Sequence, residues 1–129
     1  DHDKIFKKIS KILKTNGFLY IFEPMLRELH QVPEDYLRYT PYGLRDKLKK
    51  NGFNKFDHEF SGGPFTAIAY CWDQALQYFP QNLRKKREKW FYKKEFKSLL
   101  KLEKKYKKNL FRKNTKFPVS FSLTAYKSK

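Results

Sequence analysis

The chain has 129 residues, enough for one domain with a buried core. Apolar residues make up 40% of it and aromatic residues 19%, which excludes a disordered protein despite a net charge of +17. We expect no membrane span, because no apolar run reaches the ~18 residues required, and no signal peptide at the N-terminus. The single cysteine, Cys71, excludes an internal disulfide bond and favours a reducing compartment. These features predict a cytoplasmic protein.

The first part of the chain predicts a helix followed by a strand. Asp3 is a plausible N-cap, and apolar residues follow it at helical spacing. They are Ile5, Phe6, Ile9, Ile12 and Leu13. Asn16 and Gly17 supply a left-handed end to this helix. The run from Gly17 to Phe22 is apolar without alternation, which is typical of a parallel-sheet strand that is covered on both faces.

A second helix and strand follow a loop. Thr40 is the predicted N-cap and Pro41 the first helical residue, where its missing N–H costs nothing. The apolar stripe of this helix comprises Tyr42, Leu44 and Leu48. The pair Asn51-Gly52 ends the helix, and residues 53–60 alternate imperfectly, as in an edge or half-exposed strand. Helix and strand therefore alternate, which predicts an α/β fold.

The last half predicts helices and a terminal strand. Residues 66–79 read as a helix whose apolar side includes Cys71, which we expect in the core. Residues 83–110 read as one very basic helix or a helix pair. Residues 119–126 alternate cleanly between apolar and polar side chains after Pro118, which predicts a strand.

The order of these elements resembles the C-terminal half of a class I S-adenosylmethionine-dependent methyltransferase of the type 11-like group. The segment DHDKIFKKISKILKTNGFLYIFEP is similar to the helix, glycine turn and fifth strand of that family. The segment HQVPEDYLRYTPYGL, residues 30–44, resembles a loop-and-helix signature of one subgroup. The strand after Pro118 looks like the seventh strand, which enters the sheet antiparallel. The resemblance covers residues 1 to about 80 and 117–129.

The resemblance implies that residues 1–129 are the C-terminal part of a single Rossmann-like methyltransferase domain with a basic helical insertion at residues 81–116. The cofactor would be S-adenosylmethionine, yet its glycine-rich loop and ribose-binding acid would lie before Asp1. The turn at residues 61–64 comes too late in the topology to replace that loop. We therefore expect the chain to be inactive alone, poorly soluble or oligomeric, and completed by a missing N-terminal half or a partner subunit.

The same resemblance suggests which residues serve catalysis. His30 would be a general base or substrate anchor, because imidazole exchanges protons near neutral pH; the alternative is a loop histidine that binds the backbone. Glu23, at the end of the first strand, would face the crevice between cofactor and acceptor, or be a surface carboxylate. His2 and His58 are isolated in the sequence, so no metal site is expected.

The loop after the first strand would bind the acceptor. Glu34 and Asp35 would orient a hydroxyl or amine, or be solvated charges. Arg38 would pair with a carboxylate or phosphate of the acceptor, or with one of these two acids. Three tyrosines would line an acceptor pocket or pack the loop onto the core. They are Tyr36, Tyr39 and Tyr42.

The basic segment leaves the choice of partner open. Residues 84–116 contain sixteen Lys or Arg and three Glu, a net charge of +13. Aromatic residues are interleaved at Trp90, Phe91, Tyr92 and Phe96. This composition suits an anionic membrane surface or a lipid-linked acceptor, less so nucleic-acid phosphates, and it also suits a solvated helix. The alternative function is thus a non-catalytic basic module that binds membrane or nucleic acid.

Overall fold

A computed structural model describes residues 1–110 and 117–127 of the chain, so residues 111–116 of the predicted basic segment lie outside the described residues. The structure is mixed α/β. Its elements are α1 (His2–Ile12), β1 (Phe18–Pro24), α2 (Pro41–Lys50), β2 (Phe53–Ser61), α3 (Pro64–Ala75), a 3-10 turn (Leu76–Tyr78), α4 (Gln81–Trp90), a π-helical segment (Phe91–Glu95), α5 (Phe96–Leu110) and β3 (Ser120–Lys127).

The chain divides into two compact units. Unit 1 comprises Asp1–Met25, Gln31–Glu59 and the described residues from Ser120 onward. Unit 2 comprises Leu26–His30 and the described residues of Phe60–Val119.

In the described part of the chain, no helix combines the length and the apolarity needed to cross a membrane.

Helix α1 begins earlier than predicted. The carboxylate of Asp1 accepts hydrogen bonds from the backbone N–H groups of Asp3, at 3.1 Å, and Lys4, at 3.3 Å. Asp1 is therefore the N-cap, and the expectation for Asp3 was wrong because the Asp3 carboxylate points to α2 instead. The left-handed residue in the turn after α1 is Asn16, with φ of 64°.

The three strands form an open antiparallel sheet in the order β1-β3-β2. Strand β3 runs antiparallel to β1, with Ile21 opposite Leu123. The antiparallel direction of the terminal strand agrees with the expectation. In this order β2 lies at an edge, as its imperfect alternation predicted. Strand β1 forms the other edge of the three described strands.

The two faces of β1 differ, which corrects the expectation of a strand covered on both sides. Leu19 and Ile21 are partly buried and line a cavity together with residues of α1 and α2. The other face carries three large aromatic side chains that are each about 60% exposed. They are Phe18, Tyr20 and Phe22. An unbroken apolar run predicts a strand. It does not show whether residues of the same chain cover both faces of that strand.

Helix α2 has the predicted start. The hydroxyl of Thr40 accepts a hydrogen bond from the backbone N–H of Gly43 at 3.1 Å, and Pro41 occupies the first turn. Leu44 and Leu48 of this helix are buried within unit 1. Tyr42 was expected in the same stripe but is 63% exposed, because it lies two positions before Leu44, roughly 200° around the helix axis, and so points away from the buried face.

Unit 2 has its own core. Ala69, Leu76 and Phe91 are buried there, with Trp72 and Leu99 among the side chains packed around them. Cys71 was expected in this core but is exposed. The reason is geometric: Ala69 and Leu76 define the buried face of the helix and the turn after it, and Cys71 lies on a different face.

Candidate functional site

A cavity lies on the helix-covered side of β1, within unit 1. Its volume is about 280 Å³, and most of its wall is apolar. The apolar wall consists of Phe6, Ile9, Leu19, Ile21 and Leu44. His2, Glu23 and Tyr39 contribute its polar groups, and Glu23 stands next to the last residue of β1. An apolar wall with a few convergent polar groups is the usual form of a small-molecule site, so this cavity is the candidate site of unit 1.

Tyr39 connects the polar groups of the cavity. Its hydroxyl lies 2.7 Å from Nδ1 of His2, and the two rings are 5.5 Å apart between centroids. Its backbone N–H donates a hydrogen bond to Oε1 of Glu23 at 3.3 Å. The loop before α2 is thereby fixed at both α1 and the end of β1. A small molecule in the cavity would meet an imidazole, a phenol and a carboxylate.

The electrostatic environment keeps the Tyr39 phenol protonated. Burial raises the pKa of Tyr39 above its usual value of 10.0, and the negative charges of Asp3 and Glu23 raise it further. The positive charge of Lys47 opposes this rise in pKa. Near neutral pH the phenol therefore carries its proton and can donate a hydrogen bond.

A second polar cluster joins α1 to α2 beside the cavity residues. The carboxylate of Asp3 accepts hydrogen bonds from Nζ of Lys47 at 2.6 Å and from Nδ2 of Asn51 at 3.1 Å. The bond from Lys47 lowers the pKa of Asp3, and the same bond raises the pKa of Lys47. This cluster positions the first turn of α1, which carries His2.

The other predicted acceptor-binding residues are spread along the loop and α2. Arg38 pairs with Asp35, which matches the structural alternative stated for it. Glu34 is exposed, and Tyr36 is 81% exposed. Tyr42 packs edge-on against His58 at 6.1 Å between ring centroids. Of the predicted set, Glu23 and Tyr39 are the members that line the cavity.

The histidine that lines the cavity, His2, is not the histidine that was predicted to be catalytic, His30. His30 is exposed and belongs to unit 2, and its catalytic role stays a prediction. His2 lines the cavity, although its isolation in the sequence gave no reason to select it. The missing signal is a tertiary contact: His2 and Tyr39 are 37 positions apart. The sequence offered one signal for His2, namely its position in the first turn of a helix that precedes a predicted buried strand.

The turn before α3 does not offer free backbone donors to the implied cofactor. The glycine pair Gly62-Gly63 precedes α3, but the carboxylate of Glu103 accepts hydrogen bonds from the N–H groups of Gly63 and Thr66. A phosphate or carboxylate ligand would find these donors occupied. Glu23 remains the one predicted cofactor residue, and its Oε1 already accepts the N–H of Tyr39. The described part of the chain also contains no cluster of three or more His, Cys, Asp or Glu side chains suited to a metal ion.

Comparison of the chain with protein-family models, with curated proteins and with solved structures finds no match.

Proposed function

We propose that the chain is the acceptor-side half of an S-adenosylmethionine-dependent methyltransferase that acts on a small or lipid-linked acceptor. The observation that carries the proposal is the convergence of His2, Glu23 and Tyr39 around an otherwise apolar cavity at the carboxyl end of β1. An apolar cavity with a few convergent polar groups is the usual form of a small-molecule site. The loop that supplies Tyr39 is also the segment with the strongest resemblance to the family.

The sheet supports the same proposal. The terminal strand β3 pairs antiparallel with β1, in the manner expected of the family's last strand. Strand β1 lies at an edge of the described sheet and exposes Phe18, Tyr20 and Phe22 on one face. An edge strand with a large apolar face is a template for another segment. We infer that the cofactor-binding half docks there, as a separate subunit or another segment.

The chemistry of the cavity residues suits the acceptor side of methyl transfer. An acceptor O–H or N–H must lose a proton when its heteroatom becomes the nucleophile. The imidazole of His2 is the group in the cavity that can take up this proton. In the tautomer in which Nδ1–H of His2 donates to the Tyr39 oxygen, the phenol keeps its own proton to donate a hydrogen bond that orients the acceptor. Glu23 holds Tyr39 in place by accepting its backbone N–H.

The experiment uses the protein isolated under non-denaturing conditions from the cells that make it, so that any partner half remains bound. It is incubated with methyl-labelled S-adenosylmethionine and fractionated cell extract. We expect label in the small-molecule or lipid fraction. Absence of label from every fraction, together with absence of bound S-adenosylmethionine, would overturn the proposal. Label confined to the nucleic-acid fraction would contradict the proposed acceptor class.

A second candidate function rests on the charge of α4. The cationic side chains of its middle, Arg84, Lys85, Lys86 and Arg87, are all exposed. This favours a basic module that binds an anionic membrane or, less well, nucleic acid. Titration with anionic vesicles and with duplex DNA at several salt concentrations tests it. A steep loss of affinity with rising salt is expected, and binding that is indifferent to salt would contradict this function.

A further inference from the structure

Helix α3 carries an apolar groove within unit 2, on the side of the helix that includes Cys71. The groove has a volume of about 530 Å³. Its wall consists of Pro64, Ala67, Ile68, Cys71, Trp72, Ala75 and Phe117. Two of these apolar side chains are largely exposed to solvent: Ile68 is 54% exposed and Phe117 is 68% exposed. Exposed apolar surface of this kind on one helix face is typical of a site that binds an apolar ligand or partner.

We propose that this groove binds the hydrocarbon chain of an anionic single-chain amphiphile, for which a free long-chain fatty acid is the simplest example. The site is separate from the cavity that holds His2 and Tyr39, and the proposal does not depend on methyl transfer. Two properties of unit 2 specify the occupant: the chemistry of the groove wall and the charge of the helices in the same unit.

The wall selects a hydrocarbon. The thiol of Cys71 is the single polar side-chain group among the lining residues apart from the indole N–H of Trp72, and that N–H is buried without a partner among the described residues. A sugar, nucleotide or extended peptide would lose hydrogen bonds to water in this groove and regain almost none. A methylene chain loses none, and each buried CH₂ adds to affinity. The volume also falls within the ~300–1,000 Å³ of small-molecule sites.

The charge selects an anion. Residues 84–110, all in unit 2, contain thirteen Lys or Arg and three Glu, a net charge of +10. Helix α5, which carries part of this charge, packs against α3. Such a concentration of positive charge attracts anions over the ~8–10 Å Debye length of ordinary buffers. A single-chain amphiphile with a carboxylate head combines an apolar tail for the groove with a head that this field attracts.

Trp72 provides a direct test because it lines the groove. The chain has two tryptophans, and the ring of Trp90 lies 6.0 Å from that of Trp72. The variant Trp90→Phe leaves Trp72 as the single reporter. A fatty acid brominated near the middle of its chain, added below its micelle concentration, is expected to quench Trp72 fluorescence in a saturable way. Extension of the chain by two carbons that remain within the groove should tighten binding by roughly ten- to fifteenfold.

A matched pair of variants locates the binding. Ala75→Phe places a ring in the groove, whereas Gln74→Phe adds the same ring at a neighbouring position of α3 that is not part of the wall. We expect Ala75→Phe to weaken quenching at least tenfold and Gln74→Phe to leave it unchanged. The far-ultraviolet circular dichroism of both variants reports whether the helices are retained. Equal loss of quenching in the two variants would overturn the assignment to the groove.

Two further arms decide the chemistry of the occupant. The methyl ester of the same brominated acid should bind several-fold more weakly at low salt, and equal affinity would overturn the anionic part of the proposal. The second arm uses bilayer vesicles whose lipid chains carry bromine, because a membrane is the other possible source of an acyl chain. Quenching by vesicles without quenching by the monomeric acid would overturn the single-chain site in favour of a membrane surface. No quenching in either arm would overturn the proposal entirely.

Discussion

The carboxylate of Glu103 on α5 accepts a hydrogen bond from the backbone N–H of Thr66 at 3.1 Å, although the two residues are 37 positions apart in the sequence. The same carboxylate accepts the N–H of Gly63, the residue that precedes α3. Gly63 has no side chain with which to cap the helix, and α3 has no acidic residue in its first turn. Glu103 therefore acts as a long-range cap that satisfies donors and opposes the positive end of the helix dipole.

The variant Glu103→Gln tests this cap. The amide retains one acceptor atom but loses the charge, so we expect the free energy of unfolding to fall by about 1 kcal/mol. Glu103→Ala should cost more, because both donors then lose their partner. Glu95→Gln removes the same charge from the same basic region and serves as the control. If both Gln variants unfold at the same denaturant concentration, the effect is general electrostatics and not capping.

Local signals in the sequence predicted local structure well. The Thr40 cap follows from residues a few positions apart, and so does the alternation of β3, in which Leu123 is buried as expected. Contacts between distant residues were not predictable. The pairs Glu103–Thr66 and His2–Tyr39 each span 37 positions, and no pattern in either segment indicates the other. This is why the loop containing Tyr39 was identified while the imidazole beside it was missed.

The contact between Asp3 and Lys47 should make stability depend on pH. The pKa of Asp3 is lowered from its usual 3.8, mainly by the hydrogen bond from Lys47. A lowered pKa in the folded state stabilises the fold above the unfolded-state value, and this contribution is lost as the pH falls through the folded-state pKa. The pKa of Lys47 is raised from 10.5, so its contribution is present below that pH and is lost as the pH rises above it.

Asp3→Asn measures this contribution. We expect the wild type to be more stable than the variant at pH 6, and the difference to shrink as the pH is lowered below ~4. Urea unfolding at a series of pH values gives the difference directly. Asp57→Asn, at an exposed position of β2, is the comparison variant. A difference that stays constant from pH 6 to the acid limit would show that the ion pair makes no contribution.

The exposed aromatic face of β1 should drive association of the isolated chain. Phe18, Tyr20 and Phe22 are each about 60% exposed on a strand that lies at an edge of the described sheet. Apolar faces of this kind associate in the absence of their partner. We expect concentration-dependent oligomers in sedimentation velocity experiments and a shift toward monomer in Tyr20→Thr.

Tyr36→Thr is the control for that experiment. Tyr36 is 81% exposed, so the same substitution removes at least as much exposed aromatic surface, but from the loop before α2 and not from the strand. It should leave association unchanged. A wild-type chain that sediments as a monomer at every concentration would contradict the inference that β1 docks against another segment.

Tyr39→Phe separates the orienting role of the phenol from its packing. The ring stays in the cavity and the backbone N–H still donates to Glu23, but the bond between the hydroxyl and His2 is lost. His2 is exposed, so water can replace the lost bond in the free protein and the fold loses little stability. Loss of a hydrogen bond that orients the acceptor raises the activation free energy by ~1–3 kcal/mol. In the native complex we expect methyl transfer to slow by roughly ten- to hundredfold with little change in thermal stability.

His2→Gln should reduce the same rate and also flatten its dependence on pH between about pH 5 and 8, because a glutamine cannot take up the proton. Tyr36→Phe, outside the cavity, is expected to retain full activity. If Tyr39→Phe and Tyr36→Phe slow the reaction equally, the cavity is not the acceptor site. If His30→Gln alone abolishes activity while His2→Gln does not, the base is His30, and the imidazole beside Tyr39 has a structural role.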